Sequence, residues 1–202
     1  DGLDRIEGFL TLYAGADTTE YTRAVSRNLW ISMAARVHKP GCKYDNLPYL
    51  RGGQGKFKTT LLEAIGGPWY ASVNAQVGDK DFYIALQGKL LIELPELQSI
   101  IGPKADRNKV KAMLSQPTDR YRLPYARTSS DNPRMSVFIG TTNDRHILGD
   151  ETGNRRFWPI EVGRIDIRAT RRDRDQLFAE AVARFKRGES WWQVPEGEAG
   201  ER

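Results

Sequence analysis

The chain has 202 residues, enough for one full core and one domain. Its net charge of +5, from 31 Lys and Arg against 26 Asp and Glu, is too mild to select nucleic acid as a partner by itself. No apolar run is long enough to span a bilayer, no signal-peptide pattern opens the sequence, and the single cysteine, Cys42, cannot form an internal disulfide. These features argue against membrane and disulfide-stapled classes, and a reducing, cytoplasmic setting is expected. The sequence opens in DGLDRIEGFL without an initiator Met and closes in PEGEAGER, so it is expected to be one domain of a longer protein.

In chain order, Tyr21, Val25, Leu29, Met33 and Val37 recur every four residues and predict a helix from Tyr21 to His38, stopped by Pro40-Gly41. Leu47 to Leu50 is a short apolar run before glycines and predicts a buried strand. Thr59 to Ile65 predicts a helix stopped by Gly66-Gly67, and Lys80 to Gln87 a short helix closed by Gly88. Leu90 to Leu94, apolar on both faces, predicts a central strand; Met135 to Thr142 and Phe157 to Val162 predict two more. Helices are expected over Asn108 to Leu114 and Arg174 to Arg187, the latter with Leu177, Phe178, Ala181, Val182 and Phe185 on one face. Strands alternating with helices predict an α/β fold with a largely parallel central sheet flanked by helices. The expected divisions are a helical segment over 1–42, a core over 43–165, and a helix and tail over 166–202.

Residues 51–60, RGGQGKFKTT, nearly fit the phosphate-binding pattern G-x-x-x-x-G-K-[ST]. Lys58 and Thr59 occupy their places, but Phe57 stands where glycine is usual. A predicted strand precedes the stretch and a predicted helix follows it, the setting a phosphate cradle requires. The candidate nucleotide-binding residues are Gly52, Gly53, Gln54, Gly55, Lys56, Phe57, Lys58, Thr59 and Thr60. Lys58 would meet the β and γ phosphates of ATP and Thr59 would ligate Mg²⁺. Phe57 is tolerable if its backbone stays in an allowed region and its ring points outward.

An ATPase of this kind also needs an acid at the end of a neighbouring strand. KLLIELPEL supplies Glu93 within the apolar run and Glu96 at its end. A carboxylate inside an apolar strand is costly unless paired or metal-bound. Glu96 is the first choice for activating water and Glu93 for the metal shell, with exchange of roles open. The strand MSVFIGTTN ends in Asn143, placed to bond the attacking water or the γ-phosphate. In DETGNRRFWPI, Arg155 and Arg156 precede the last strand, where one could reach a neighbouring subunit's γ-phosphate as an arginine finger. Between Lys104 and Arg134 stand three Lys and five Arg against Asp106, Asp119 and Asp131, a candidate phosphate or nucleic-acid face.

The succession DGLDRIEGFL, RVHKPGCKYDNLPYLRGGQGKFKTT, GKLLIELPEL, DRYRLPYAR, GTTN and TGNRRFWPI resembles the virulence-associated protein E family. These P-loop proteins of phages and mobile genetic elements are similar to superfamily-three helicases within the AAA+ class. The resemblance implies a P-loop NTPase fold, a hexameric ring, a replication role on single-stranded or forked DNA, and a primase part elsewhere in the full-length chain. It also implies that Phe57 is a family variant, since the glycine before the loop lysine is often replaced there. In superfamily-three helicases a hairpin after the acid strand grips single-stranded DNA. Here it would start at Arg122, carry a polar tip at Ser129 to Asn132, and offer Arg122, Tyr125 and Arg127 to DNA. A purely structural Arg–Tyr pair is the alternative.

His38 and His146 lie far apart and lack metal-ligand spacing, and Cys42 has no base near it in sequence. The leading expectation is an Mg²⁺-dependent ATPase and DNA helicase. The alternatives are a nucleotide-gated DNA-binding or replication-assembly module with little hydrolysis, and a small-molecule kinase.

Overall fold

The computed structural model describes residues 2, 4–101, 104–121, 128–144 and 154–194. The helices are α1 (Phe9–Leu12), α2 (Glu20–His38), α3 (Lys58–Gly66), α4 (Lys80–Ala85), α5 (Leu97–Ile101), α6 (Lys104–Ser115) and α7 (Ile167–Lys186). The strands are β1 (Leu47–Arg51), β2 (Tyr70–Ser72), β3 (Leu91–Leu94), β4 (Thr118–Tyr121), β5 (Ser130–Pro133), β6 (Val137–Thr142) and β7 (Phe157–Glu161). Five strands form a parallel sheet in the order β2-β3-β6-β1-β7. The acid strand β3 therefore does not neighbour β1, as the sequence reading expected. The asparagine strand β6 lies between them.

Both faces of the sheet are covered, which is why its strands read as apolar runs. On one face Leu50, Leu91, Val137, Ile139, Trp158 and Ile160 share a core with α1, α2, α3 and α7. On the other, Leu47, Tyr49, Ile92, Leu94, Phe138 and Phe157 pack with α4, α5 and α6. Side chains alternate between faces along a strand. Glu93 must therefore share the face of Leu91, the face that carries α3.

Helix α2 is capped by Thr19, whose side chain accepts the Thr22 N–H, and buries much more than one stripe. Ser26, Asn28, Ser32 and Arg36 are also interior, whereas Val37, the last residue of the expected stripe, is 46% exposed. Helix α7 packs against both α2 and α3. Its Glu180 Oε2 accepts the Arg5 and Ile6 N–H groups at 2.6 and 3.0 Å, fastening the N-terminal segment.

Strands β4 and β5 pair antiparallel, Thr118 with Pro133 through Tyr121 with Ser130. Ser130 to Asn132 thus belong to the returning strand rather than to a hairpin tip. Arg122, Tyr125 and Arg127 lie outside the described residues, as does His146. Arg134, just after β5, is 1% exposed and forms a buried ion pair with Asp119. Its Nε lies 3.1 Å from both carboxylate oxygens, and its Nη1 donates to the Met113 carbonyl at 2.5 Å. The Arg134 carbonyl in turn accepts from Arg36 Nη1 at 3.2 Å. Arg107 is also buried and donates to the Ile101 carbonyl at 3.3 Å. Two of the eight basic residues counted as a candidate nucleic-acid face are therefore interior, and that expectation is corrected to this extent.

Candidate active site

The glycine-rich loop joins the C-terminal end of β1 to the first turn of α3. Phe57 has φ 59 and ψ 29, the left-handed region that non-glycine residues rarely enter. This is why glycine is usual at that position. Phe57 is 65% exposed, in keeping with a side chain turned outward. No side chain caps α3, so N–H groups of its first turn are left for an anion.

A cavity of about 380 Å³ opens over this loop. Gln54 through Thr59 line one side, Pro95 and Glu96 a second, and Thr141 through Asn143 a third. Gly52, Gly53 and Thr60 do not line it. The carbonyls of Gly52 and Gly53 face Lys58 instead.

Lys58, the first residue of α3, is buried, and its Nζ donates to Gly52 O at 2.7 Å, Gly53 O at 3.1 Å and Asn143 Oδ1 at 2.9 Å. Burial lowers its pKa; Glu161 and Glu93 oppose that shift, and Lys56 adds to it. Lys56 is exposed at the loop apex.

Glu93 is fully buried behind the loop. Thr59 Oγ1 donates to its Oε1 at 2.8 Å, Thr141 Oγ1 donates to the same oxygen at 2.5 Å, and the Tyr70 hydroxyl donates to Oε2. Helix α3 and strand β3 thus meet through a hydroxyl and a carboxylate despite the intervening strand β6. Burial, and then the bond to Glu93, raise the pKa of the Tyr70 phenol well above its ordinary value.

Glu96 is exposed at the cavity rim and has φ 47. Phe57 and Glu96 are the two non-glycine residues with positive φ among the described residues, and both line this cavity. Such strain clusters at functional sites. Just after Glu96, Gln98 Oε1 accepts the Thr142 hydroxyl at 2.6 Å, tying the start of α5 to the end of β6 beside Asn143.

Arg155 and Arg156 are not brought to this cavity. They precede the N-terminal end of β7, whereas the loop follows the C-terminal end of β1, and the two strands are parallel and in register. Five residues at about 3.3 Å each put roughly 16 Å of sheet between the two ends. Arg156 Nε pairs with Asp45 Oδ2 at 3.2 Å. Arg155 is exposed and has no ion pair among the described residues.

Among the described residues there is no cluster of three or more His, Cys, Asp and Glu that could hold a metal ion. Thr59 lines the cavity and its hydroxyl reaches the buried Glu93 carboxylate, oxygen groups of the kind that Mg²⁺ takes together with phosphate and water. Tyr70 escaped the sequence reading, because a three-residue edge strand carries no motif. So did the cross-strand pair of Arg51 Nε with Glu161 Oε2 at 2.8 Å, at the same end of the sheet. No helix among the described residues is long and apolar enough to cross a membrane.

No curated protein matches the chain. Among solved structures, "The apo structure of NrS-1 C terminal region (305-718)" aligns over 100% of this chain and 51% of its own, at 17% identity and TM-score 0.59. "The A form apo structure of NrS-1 C terminal region-CTR" aligns over 100% and 50%, at 18% identity and TM-score 0.60. At such identities the likeness is one of fold, and the chain spans about half the length of these structures. The profile of the virulence-associated protein E-like domain matches residues 1–201. The chain belongs to the virulence-associated protein E-like family.

Proposed function

We propose that this domain is a P-loop, Mg²⁺-dependent ATPase that drives a DNA helicase or translocase of a phage or mobile-element replication protein, working as a homo-oligomeric ring. The observation that carries this reading is the convergence, at one end of the sheet, of Lys58, Asn143, Thr59 and Glu93 by hydrogen bonds at 2.8–2.9 Å. The exposed Glu96 carboxylate stands across the same cavity.

In this reading the uncapped N-terminus of α3 and the Lys58 ammonium bind the phosphates of ATP. Thr59 and Glu93 would hold Mg²⁺, which would supply neutralisation of phosphate charge. The Thr59 hydroxyl can keep its proton on Glu93 while its oxygen lone pairs face the cavity. Glu96 accepts a proton from the attacking water, and Asn143 orients that water or the γ-phosphate. Arg155 completes the site of the next subunit. Membership of the family and the fold shared with the NrS-1 region support a replication setting.

A second reading is a nucleotide-gated DNA-binding or assembly module with little hydrolysis. It draws on the Lys58 contacts to Gly52 and Gly53, which incoming phosphate must displace. ATP turnover measured with and without Mg²⁺, and with and without single-stranded DNA, separates the two. Mg²⁺-dependent turnover stimulated by DNA is expected. Tight nucleotide binding without turnover in the assembled protein favours the second reading.

A further inference from the structure

The Glu93 carboxylate is held from three elements at once. Oε1 takes the hydroxyls of Thr59 from α3 and Thr141 from β6, at 2.8 and 2.5 Å. Oε2 takes the phenol of Tyr70 from the edge strand β2. Thr59 and Thr141 both line the cavity. Tyr70 does not line the cavity, and its hydroxyl, beside Ser72, donates to the carboxylate from behind.

The fold makes room for that task. Tyr70 pairs with Leu91 and Ser72 with Glu93, so Tyr70 lies on the Glu93 face, one strand over and two residues back. A phenol spans that diagonal. At the end of α3, a Cβ on Gly66 would lie 2.7 Å from the Tyr70 Cβ. The glycine there lets the ring stem pass under the helix.

A carboxylate with one oxygen unanchored can rotate about its last bond and present either oxygen. With Oε2 fixed, Oε1 stays against Thr59. Partners behind a metal-binding carboxylate orient it. We infer that Tyr70 is a positioning residue for the cation site: its hydroxyl locks the Glu93 carboxylate against Thr59 and so sets the affinity of the nucleotide site for a divalent cation. This rests on the reading of Thr59 and Glu93 as the Mg²⁺ pair.

The test is Mn²⁺ binding, followed by the electron paramagnetic resonance of the free ion, in the presence of a non-hydrolysable ATP analogue. Tyr70→Phe keeps the ring that Gly66 accommodates and removes only the hydroxyl. It is expected to weaken Mn²⁺ binding by roughly 10- to 100-fold, the range for loss of such a partner. Affinity for the analogue in EDTA should be unchanged. In a Glu93→Gln background the same substitution should add little, because Tyr70 acts through Glu93. Equal Mn²⁺ binding by wild type and Tyr70→Phe overturns the inference and leaves the ATPase reading standing. So does an undiminished effect in the Glu93→Gln background. Wild-type protein that binds neither the analogue nor Mn²⁺ overturns the ATPase reading and this inference together.

Discussion

Lys58 and Asn143, 85 residues apart in sequence, meet at 2.9 Å, Nζ to Oδ1, at the mouth of the glycine-rich loop. The contact turns Lys58 into the loop, so that under the ATPase reading it, rather than its neighbour Lys56, would meet the phosphates. Lys56 projects into solvent from the loop apex. Lys58→Ala is expected to abolish ATP turnover with the fold intact by circular dichroism, and Lys56→Ala to retain most of it. The opposite result would move the phosphate register two residues towards the N-terminus.

The two acids differ in burial, and their amide variants should differ accordingly. Glu96→Gln removes an exposed carboxylate, so stability should hold, nucleotide should bind and hydrolysis should stop. Glu93→Gln acts in the interior, where three hydroxyls donate to one carboxylate. An amide nitrogen cannot accept, so at least one hydroxyl must turn or go unpaired. A stability loss of about 1–3 kcal/mol is expected, together with weaker Mg²⁺-dependent binding. Thermal melts and nucleotide titrations read both; equal, mild effects would remove both residues from the site.

Phe57 provides a test of the loop backbone. Its left-handed conformation costs about 1–2 kcal/mol for a residue with a Cβ, and glycine escapes that cost while losing more entropy on folding. The ring is largely exposed, so its removal forfeits little burial. Phe57→Gly should therefore melt higher than Phe57→Ala, by about 1 kcal/mol, or roughly 2–4 °C for a chain of this size. Identical melting of the two variants would mean that the loop does not hold Phe57 at positive φ.

The strands β1, β3, β6 and β7 were legible because burial on both faces writes itself as an apolar run. The helices α2, α3 and α7 were legible from periodicity and glycine stops. Strand β2 was not, because three partly exposed residues at a sheet edge carry no pattern. The partnership of Tyr70 with Glu93 depends on the β2–β3 register, which no local signal encodes. The hairpin register was misread for a related reason. Ser130 to Asn132 have turn chemistry, yet the strand they join is anchored at its foot by Arg134 and Asp119. Charge alone also misled, since Arg107 and Arg134 read as surface and are interior. The strand order, with Asn143 between the loop and the acid, became visible only in three dimensions.

That anchor yields a stability prediction. Arg134 is buried with Asp119 as its partner, the Met113 carbonyl as a further acceptor and the Phe138 ring 5.3 Å from its guanidinium carbon. Removing one member of such a pair leaves a buried charge uncompensated, which typically costs about 3–5 kcal/mol. Arg134→Met and Asp119→Leu should each lower the melting temperature by roughly 6–20 °C. The double variant should recover much of the loss, because it leaves neither charge behind. Small, additive effects would show that the pair contributes little to the hairpin foot.

Arg155 and Arg156 stand at the opposite end of the parallel sheet from Lys58, too far for either to serve its own site. Any catalytic role must be exerted on a neighbouring subunit. The two differ in availability: Arg156 is engaged with Asp45, and Arg155 is exposed without an ion pair among the described residues. Arg155→Ala should leave ATP binding intact and lower turnover by roughly a thousandfold or more, the scale of an arginine finger supplied in trans. Arg156→Ala should cost under about 1 kcal/mol of stability, the scale of a partly exposed pair, and little turnover. Mixing completes the test. Arg155→Ala subunits retain a sound Lys58, and Lys58→Ala subunits retain a sound Arg155. Some mixed interfaces then contain one intact site, so turnover should return when the two inactive proteins are combined. Failure of mixing to restore any activity, in assemblies shown to contain both variants, would exclude Arg155 as a finger.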